Sequence, residues 1–369
     1  MSERRFFYSA PMVTKKDIRA LSLEQITEYL VESGEQAFRA KQVYEWLWKK
    51  GAKRFEDMTN LSLTLREKLA DAFVINHIRV DEMQRSSDGT IKNAVRLHDG
   101  KIVESVLIPT PKRITACVSS QVGCSLDCHF CATARLKRMR NLNADEIYDQ
   151  VVAIKNEAET FYNRPLTNIV FMGMGEPLMN YNNVLAAIEK ITNIEGLGMS
   201  PKRITLSTVG LAKLIKKLAD DEVKFNLAVS LHSARDEVRD KIMPINHKNP
   251  LSDLLESLQY WYQHTGRKVT FEYVVWKDIN DKPEDIRALV EFCKRIPSKV
   301  NLIEYNPIDP HPDLDEADAI YGFQQADQHV VEAYVKALTA IGVTATVRHS
   351  RGKDIDAACG QLANKNEIA

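Results

Sequence analysis

The sequence predicts an α/β protein whose core is a parallel (βα)6 barrel, partial or closed, preceded by a helical accessory domain and a small antiparallel β meander. Three observations predict it. Seven short β-rich runs (ITACVSS, NIVFMG, RITLST, FNLAVSL, VTFEYVV, VNLIEY and TATVR) follow one another beyond about residue 112. Longer helix-period stretches separate them, and strand–helix alternation is the pattern of a parallel sheet. Upstream, the apolar period is helical to about residue 75 and then changes to two.

Taken in order, residues 14 to 75 read as a helical bundle. Ser22 and Gln25 form a capping-box pair ahead of Leu23, Ile26, Tyr29 and Leu30, and Gly34 stops that helix. A second stripe runs Phe38, Val43, Tyr44, Trp46, Leu47 to Gly51, and a third runs Leu61, Leu65, Leu69, Phe73 after Asn60. From 77 to 108, Asp88-Gly89 and Asp99-Gly100 are hairpin signals and predict three strands. Helix-like stretches then fall at 143–159, 181–195, 211–220, 251–263, 283–296 and 324–341, and NPIDPHPDLDEAD, 306 to 318, is the one long loop. The expected divisions are 1–76, helical and RNA-binding; 77–109, the meander; 110–352, the barrel; and 353–369, a C-terminal segment.

The 369 residues are 44% hydrophobic, enough for a sizeable core. The start, MSERRFFYSAPMVTKKD, is basic without an apolar leader, and no run approaches the roughly eighteen apolar residues of a membrane span. A soluble, cytoplasmic protein is expected, and without coiled-coil heptads, a monomer. Fifty basic against fifty acidic residues neither supports nor excludes a nucleic-acid partner. Two basic runs stand out, Lys49, Lys50, Lys53, Arg54 and Arg135, Lys137, Arg138, Arg140. Such runs are commonly just solvated faces.

In barrels of this kind active residues come from the C-terminal ends of strands, and the suggestive groups all sit there. CVSSQVGCSLDCHFCAT, 117 to 133, holds Cys124, Cys128 and Cys131 in a C-x3-C-x2-C spacing, with Cys117 upstream. Clustered thiols in a reducing compartment point to a metal or to catalysis rather than to structural disulfides. Structural zinc wants four ligands, commonly in two short pairs, whereas a [4Fe–4S] cluster with three protein thiolates keeps one iron open for a ligand. Spacing favours the cluster and leaves zinc open.

GMGEP, 173 to 177, offers glycines for close backbone approach and Glu176 as acceptor for an ammonium group, or else a turn with a solvated acid. Ser207 and Asn306 at other strand tips are candidates for ribose or carboxylate oxygens, and His232 is either a ligand contact or a satisfied strand-end histidine. In KIVESVLI, Glu104 shares a strand face with Ile102, Val106 and Ile108. A lone carboxylate on a buried face is costly, so the residues alone favour an exposed edge strand.

C-x3-C-x2-C after the first barrel strand and a GE motif after the second resemble the radical S-adenosylmethionine superfamily. ACVSSQVGCSLDCHFCATA, TNIVFMGMGEPLMN, PKRITLSTVG, LAVSLHSARDEVRDKIMPIN and RGKDIDAACGQL resemble, more closely, the RlmN/Cfr family of RNA adenine methyltransferases, and GKDIDAACGQLA is nearer to RlmN. The likeness runs from about residue 15 almost to the C-terminus.

The resemblance implies a dual-specificity enzyme that methylates C2 of adenosine in 23S rRNA and in tRNA next to the anticodon. Cys124, Cys128 and Cys131 would ligate a [4Fe–4S] cluster. Gly175, Glu176, Ser207, Ser230, Leu231, His232 and Asn306 would bind S-adenosylmethionine, two per turnover. Cys359 would carry the methyl group as S-methylcysteine, a 5′-deoxyadenosyl radical would activate it, and Cys117 would resolve the protein–RNA adduct through a transient disulfide. Glu104 would accept the adenine proton; burial strengthens a carboxylate as a base. A flavodoxin or ferredoxin system is the implied electron donor. The base must be turned out of folded RNA, and the two basic runs are candidates to grip its backbone. Cys293 lies in a helical stretch and reads as a core residue.

Two alternatives follow: Cfr-like methylation at C8, and, in another class, a non-catalytic RNA-binding protein stabilised by zinc. The chain also departs from the family pattern. It reads TARLKRMRNL where many relatives have a Gly-Phe pair, and NPIDPHPD where many have Pro-Gly after the Asn. Both changes bear on RNA contacts and leave the thiols intact.

Overall fold

The computed structural model describes residues 15–308 and 322–364, which divide into two compact units. One comprises the described residues up to His77 with the short stretch Asn193–Gly198; the other is the remainder.

In the first unit, β1 (Lys16–Asp17) pairs in parallel with β2 (Phe73–Val74), closing the ends of a three-helix array. Its helices are α1 (Leu23–Glu32), α2 (Phe38–Trp48) and α3 (Leu63–Ala72). The expected capping box forms, with Ser22 and Gln25 each bonding the other's backbone N–H. The third helix begins two residues later than its apolar stripe suggests, because Ser62 caps it by accepting the Leu65 N–H at 3.2 Å. Ile26, Leu30, Val43, Leu47, Leu65 and Leu69 are buried, which is the driving force for the array. Lys49, Lys50, Lys53 and Arg54 are exposed.

The second unit is built on one ten-stranded sheet. β3 (Arg79–Arg85), β4 (Ile91–Arg96) and β5 (Ile102–Pro109) form the meander, with Gly89 and Gly100 at positive φ in its turns. β5 then pairs antiparallel with β6 (Ile114–Cys117), the first of seven parallel strands. A small ladder of β7 (Gln121–Val122) and β8 (Arg140–Asn141) brackets the cysteine loop, and α4 (Ala144–Tyr162) leads to β9 (Asn168–Phe171). There follow α5 (Tyr181–Thr192), β10 (Ile204–Thr208), α6 (Ala212–Asp220), β11 (Asn226–Ser230), α7 (Asp236–Ile242), α8 (Leu251–Thr265) and β12 (Val269–Val274). The chain continues through α9 (Pro283–Lys294), β13 (Ser298–Ile303), α10 (Gln328–Ala340) and β14 (Thr344–Arg348).

All seven β-rich runs are strands, and each parallel strand joins beside its predecessor. The barrel is partial for a simple reason: β5 occupies the edge of β6 that β14 would need for closure. Glu104 corrects one expectation. Its strand lies between β4 and β6, buried on both faces, so Glu104 is interior and not on an exposed edge. The sequence reading also passed over α7. Among the described residues no helix is long and apolar enough to cross a membrane. Residues 309–318 of the expected long loop, with most of NPIDPHPD, lie outside the described residues.

Candidate active site

The parallel strands end on one cavity. Cys124, Cys128, Cys131, Gly175, Glu176, Ser207, Ser230, His232, Asn306 and Cys359 all line it, although they come from five different strand ends and the C-terminal segment. Its volume is about 170 Å³, several times the ~30 Å³ share of a water molecule.

Backbone bonds fix the ends of the cysteine loop. The Cys124 N–H donates to Leu136 O at 3.2 Å and the Met139 N–H to Val122 O at 2.9 Å. Gly123 sits at φ +72°, where a Cβ would fall 2.4 Å from the Lys137 carbonyl, so the loop closes only with glycine there. Burial pushes the Cys124 thiol up to about 11, with Cys131 and Glu176 adding to the rise. Cys128 is raised well above its ordinary value by burial and then by the other two thiols, and burial also raises Cys131. Three mutually repelling thiols therefore need a cationic group to become thiolates. Among the described residues no three His, Cys, Asp or Glu side chains converge closely enough to hold a single metal ion. The three thiols do line one cavity, and three thiolate donors with room beside them are the set a [4Fe–4S] cluster takes.

GMGEP is a place of close backbone approach. A Cβ on Gly173 would lie 2.7 Å from Val118 O, and one on Gly175, at φ +91°, would lie 2.4 Å from Gln121 Cβ. Glu176 is buried. It donates its own N–H to Gln121 Oε1 at 2.9 Å, and its carboxylate accepts the N–H groups of Leu178 (3.1 Å) and Val209 (3.0 Å). Burial nonetheless pushes its carboxyl up to about 7, so an arriving ammonium group would restore a charge that the apoprotein disfavours.

His232 adopts the left-handed conformation at φ +56°. Its Nδ1 accepts the Val274 N–H at 3.2 Å, and its ring packs 4.7 Å from Phe130 and 5.6 Å from Trp276. Burial, with Arg239 nearby, pushes it down to about 3, so the imidazole is neutral with its proton on Nε2. Asn306 donates to Cys359 O at 3.2 Å, while its buried Oδ1 has no partner among the described residues. An orphaned buried acceptor in a cavity wall fits a ligand that brings a donor. Leu231 does not line the cavity. Its side chain is buried, its N–H donates to Glu272 O at 3.0 Å, and its carbonyl accepts from Arg239 at 3.0 Å.

A smaller cavity adjoins the first and contains Cys117, Arg348 and Cys359, so Cys359 lines both. Cys117 and Cys359 are free thiols. Burial, and then the proximity of Cys359, pushes Cys117 up to about 12; Arg348 opposes this. Cys359 is open to the cavities but surrounded by protein, which raises its thiol while Arg348 again pulls the other way. Arg348 is anchored by Glu272, Nη1 to Oε2 at 3.1 Å. Cys293 is buried, away from both cavities. Glu104 lines neither cavity: its Oε1 is 3.2 Å from Lys92 Nζ and its Oε2 accepts the Ala363 N–H at 2.8 Å.

Sequence reasoning missed three contributors. Arg239 on α7 is fully buried and holds strand tips together, donating to the carbonyls of Val209 (2.6 Å) and Leu231 (3.0 Å). Phe130, Trp276, Tyr305 and Phe323 form an aromatic wall with neighbouring centroids 5.1 to 6.5 Å apart. The third is Glu272, the partner of Arg348, signalled only as an acid inside the apolar run VTFEYVV. Of the second basic run, Arg140 is engaged by Asp99 and Glu146 at 2.7 Å each, while Lys137 and Arg138 remain exposed.

Comparison with known proteins bears on these features. Residues 16–75 match the family described as the ribosomal RNA large subunit methyltransferase N-terminal domain, and residues 118–293 match the radical SAM superfamily. A Flavobacterium psychrophilum protein named probable dual-specificity RNA methyltransferase RlmN is 67% identical over 353 residues, covering 96% of this chain and 99% of that protein. The Geotalea uraniireducens dual-specificity RNA methyltransferase RlmN is 42% identical over 355 residues, covering 96% and 98%. A crystal structure of a radical SAM methyltransferase from Sphaerobacter thermophilus superposes with a TM-score of 0.85 at 37% identity, covering 94% of this chain and 99% of that one.

Proposed function

The chain belongs to the RlmN family of radical S-adenosylmethionine RNA methyltransferases, and from that premise we propose that it methylates C2 of adenosine in 23S rRNA and in tRNA. One observation carries the reading to this chain's own residues: Cys359 lines both the cavity of the cysteine trio and the cavity of Cys117. A single sulfur is thereby reachable from the side that would supply a methyl group and from the side that would release it.

Cys124, Cys128 and Cys131 would hold a [4Fe–4S] cluster, and Glu176, Ser207, Ser230, His232 and Asn306 would line the seat of S-adenosylmethionine. When bound, these groups supply the methyl and the one-electron chemistry that activates it, with electrons from a flavodoxin or ferredoxin system. The protein's part is positional and acid–base. Glu176 offers a buried carboxylate to the amino group, neutral His232 offers Nε2–H, and Asn306 holds the Cys359 carbonyl while presenting an Oδ1 that no described residue engages. Cys359 carries the methyl as a thioether. With the carbon joined to adenine, the Cys117 thiolate attacks the Cys359 sulfur, an S–S bond forms, and the S–C pair leaves with carbon, which takes a proton. Arg348 favours the anionic form of both sulfurs. Glu104 is the family's acceptor for the adenine proton, and exposed Lys137 and Arg138 flank the cysteine loop where RNA would arrive.

The test is a Cys117→Ala protein with its cluster reconstituted anaerobically and supplied with RNA and S-adenosylmethionine. RNA covalently attached through Cys359, seen by gel and peptide mass spectrometry, is the expected result. Intact cluster and bound RNA without a crosslink would refute the mechanism, and wild-type product carrying its methyl only at C8 would refute the regiochemistry.

A further inference from the structure

The segment carrying Cys359 is pinned on both sides to the antiparallel part of the sheet. Upstream, Asp354 accepts from Ser86 Oγ at 2.6 Å and the Ser87 N–H at 3.0 Å, and the Gly352 N–H donates to Asp88 Oδ2 at 3.0 Å, all at the β3–β4 turn. Downstream, the N–H groups of Ala363 and Asn364 both donate to Glu104 Oε2, at 2.8 and 3.2 Å. Asn364 Nδ2 adds a bond to Ile102 O at 2.7 Å, on the same strand as Glu104.

The other carboxylate oxygen of Glu104 faces Lys92 Nζ at 3.2 Å, and both side chains are almost wholly buried, at 2% and 5% exposure. An unpaired carboxylate would be costly at that depth, and the ammonium offsets its charge. The pair leaves both oxygens of Glu104 engaged and neither in a cavity wall. A carboxylate acting only as a proton acceptor has no need of two backbone donors from the segment that holds the carrier cysteine. Hydrogen bonds to a carboxylate are about twice as strong as neutral ones, so this contact is the downstream counterpart of the carboxylate contacts at Asp354 and Asp88.

We propose that Glu104, charge-balanced by Lys92, is a positioning residue that clamps the Cys359 segment against β5 and so sets where the carrier sulfur stands between its two cavities. That Cys359 is a methyl carrier rests on the function proposed above; the clamp itself does not, and its test needs neither RNA nor turnover.

Full-length protein purified anaerobically is compared as wild type, Glu104→Ala, Ala363→Pro and the double variant, the proline removing one donor without touching the carboxylate. Deuterium exchange at the amides of residues 353–362 and the rate of Cys359 alkylation by iodoacetamide are read by peptide mass spectrometry. Each single substitution should raise both rates roughly tenfold or more, the effect of losing a hydrogen bond to a charged group. The double variant should be no faster than the faster single one, because the two substitutions break the same contact. Unchanged rates in Glu104→Ala, or rates that multiply in the double variant, would overturn the clamp. Should Glu104→Ala not fold, Glu104→Gln, which keeps an acceptor oxygen but no charge, takes its place in the cycle. Loss of methylation with unchanged exchange would be the signature of a base alone.

Discussion

Replacing Glu176 by glutamine should remove a loss of stability that accompanies rising pH near neutrality. Burial pushes the Glu176 carboxyl up from 4.5 to about 7, against the bonds from Val209, Thr208 and Leu178. The folded chain thus keeps a proton that the unfolded chain releases at lower pH, and stability falls as pH rises from about 4.5 to about 7. Integrating the linkage between those two values gives a loss of about 2.5 kcal/mol from pH 5 to pH 8. A glutamine at this position has no such proton. It keeps one carbonyl oxygen for Leu178 or Val209 and turns an amide NH2 toward the other donor, a cost of about 1–3 kcal/mol that does not vary with pH.

The two proteins should accordingly differ by an amount that drifts by about 2.5 kcal/mol in favour of Glu176→Gln as pH rises from 5 to 8. Urea unfolding followed by circular dichroism at half-unit intervals, without cofactor, measures the drift. Parallel curves would show that the carboxyl is not strained by burial, and the argument for an ammonium seat would lose its electrostatic basis. Isothermal titration with S-adenosylmethionine supplies the complement: the variant should bind at least tenfold more weakly.

Cysteine-to-alanine changes at 124, 128 or 131 should each reduce iron and sulfide to below about a tenth of wild type after reconstitution while leaving the circular dichroism spectrum intact, because each removes one of only three thiolates proposed to hold the cluster. Arg348→Met should slow alkylation of Cys117 roughly tenfold at pH 8, since it removes the one cation opposing the upward push on that thiol; an unchanged rate would remove Arg348 from the thiol chemistry. His232, pushed down to about 3, should make the fold lose stability relative to His232→Gln as pH falls from 6.5 toward 3, because the unfolded imidazole protonates and the buried one does not. Imidazole resonances of His232 that titrate near 6.5 would contradict this. Gly175→Ala should destabilise the fold by about 1–3 kcal/mol, since the new Cβ would meet Gln121 at 2.4 Å in a left-handed conformation.

What could be read in advance depended on how far a residue's environment is set by its neighbours in sequence. The parallel strands were legible because strands covered on both faces read as apolar runs, and the turns at Asp88-Gly89 and Asp99-Gly100 because positive φ demands glycine. The capping box at Ser22 and Gln25 is likewise a local arrangement. Glu104 was misjudged because edge or interior is decided by which strand pairs on the far side, and that partner is β6, beyond the next turn. The seven residues of α7 are too short for a periodicity, and its Arg239 is buried only because carbonyls from two separate strand ends meet it. Arg348 and Glu272 lie 76 positions apart and meet only once β12, β13 and β14 are in register.

The two thiols of the proposed transfer show the same division inside the site. Cys117 is the last residue of β6, paired across from Val106 on one side and Val170 on the other, so the ladder itself fixes its position. Cys359 lies in a segment with no ladder. Its place is set instead by the donors at Asn306, Ala132 and Thr133, which meet the carbonyls of Cys359, Gly360 and Leu362, and by Glu104 further along. A resolving thiol must wait in one spot, whereas the carrier must address two cavities. A sheet position serves the first need, and a loop held by separable side-chain bonds serves the second. The proposed division of roles between two chemically identical groups thus has a counterpart in how each is anchored.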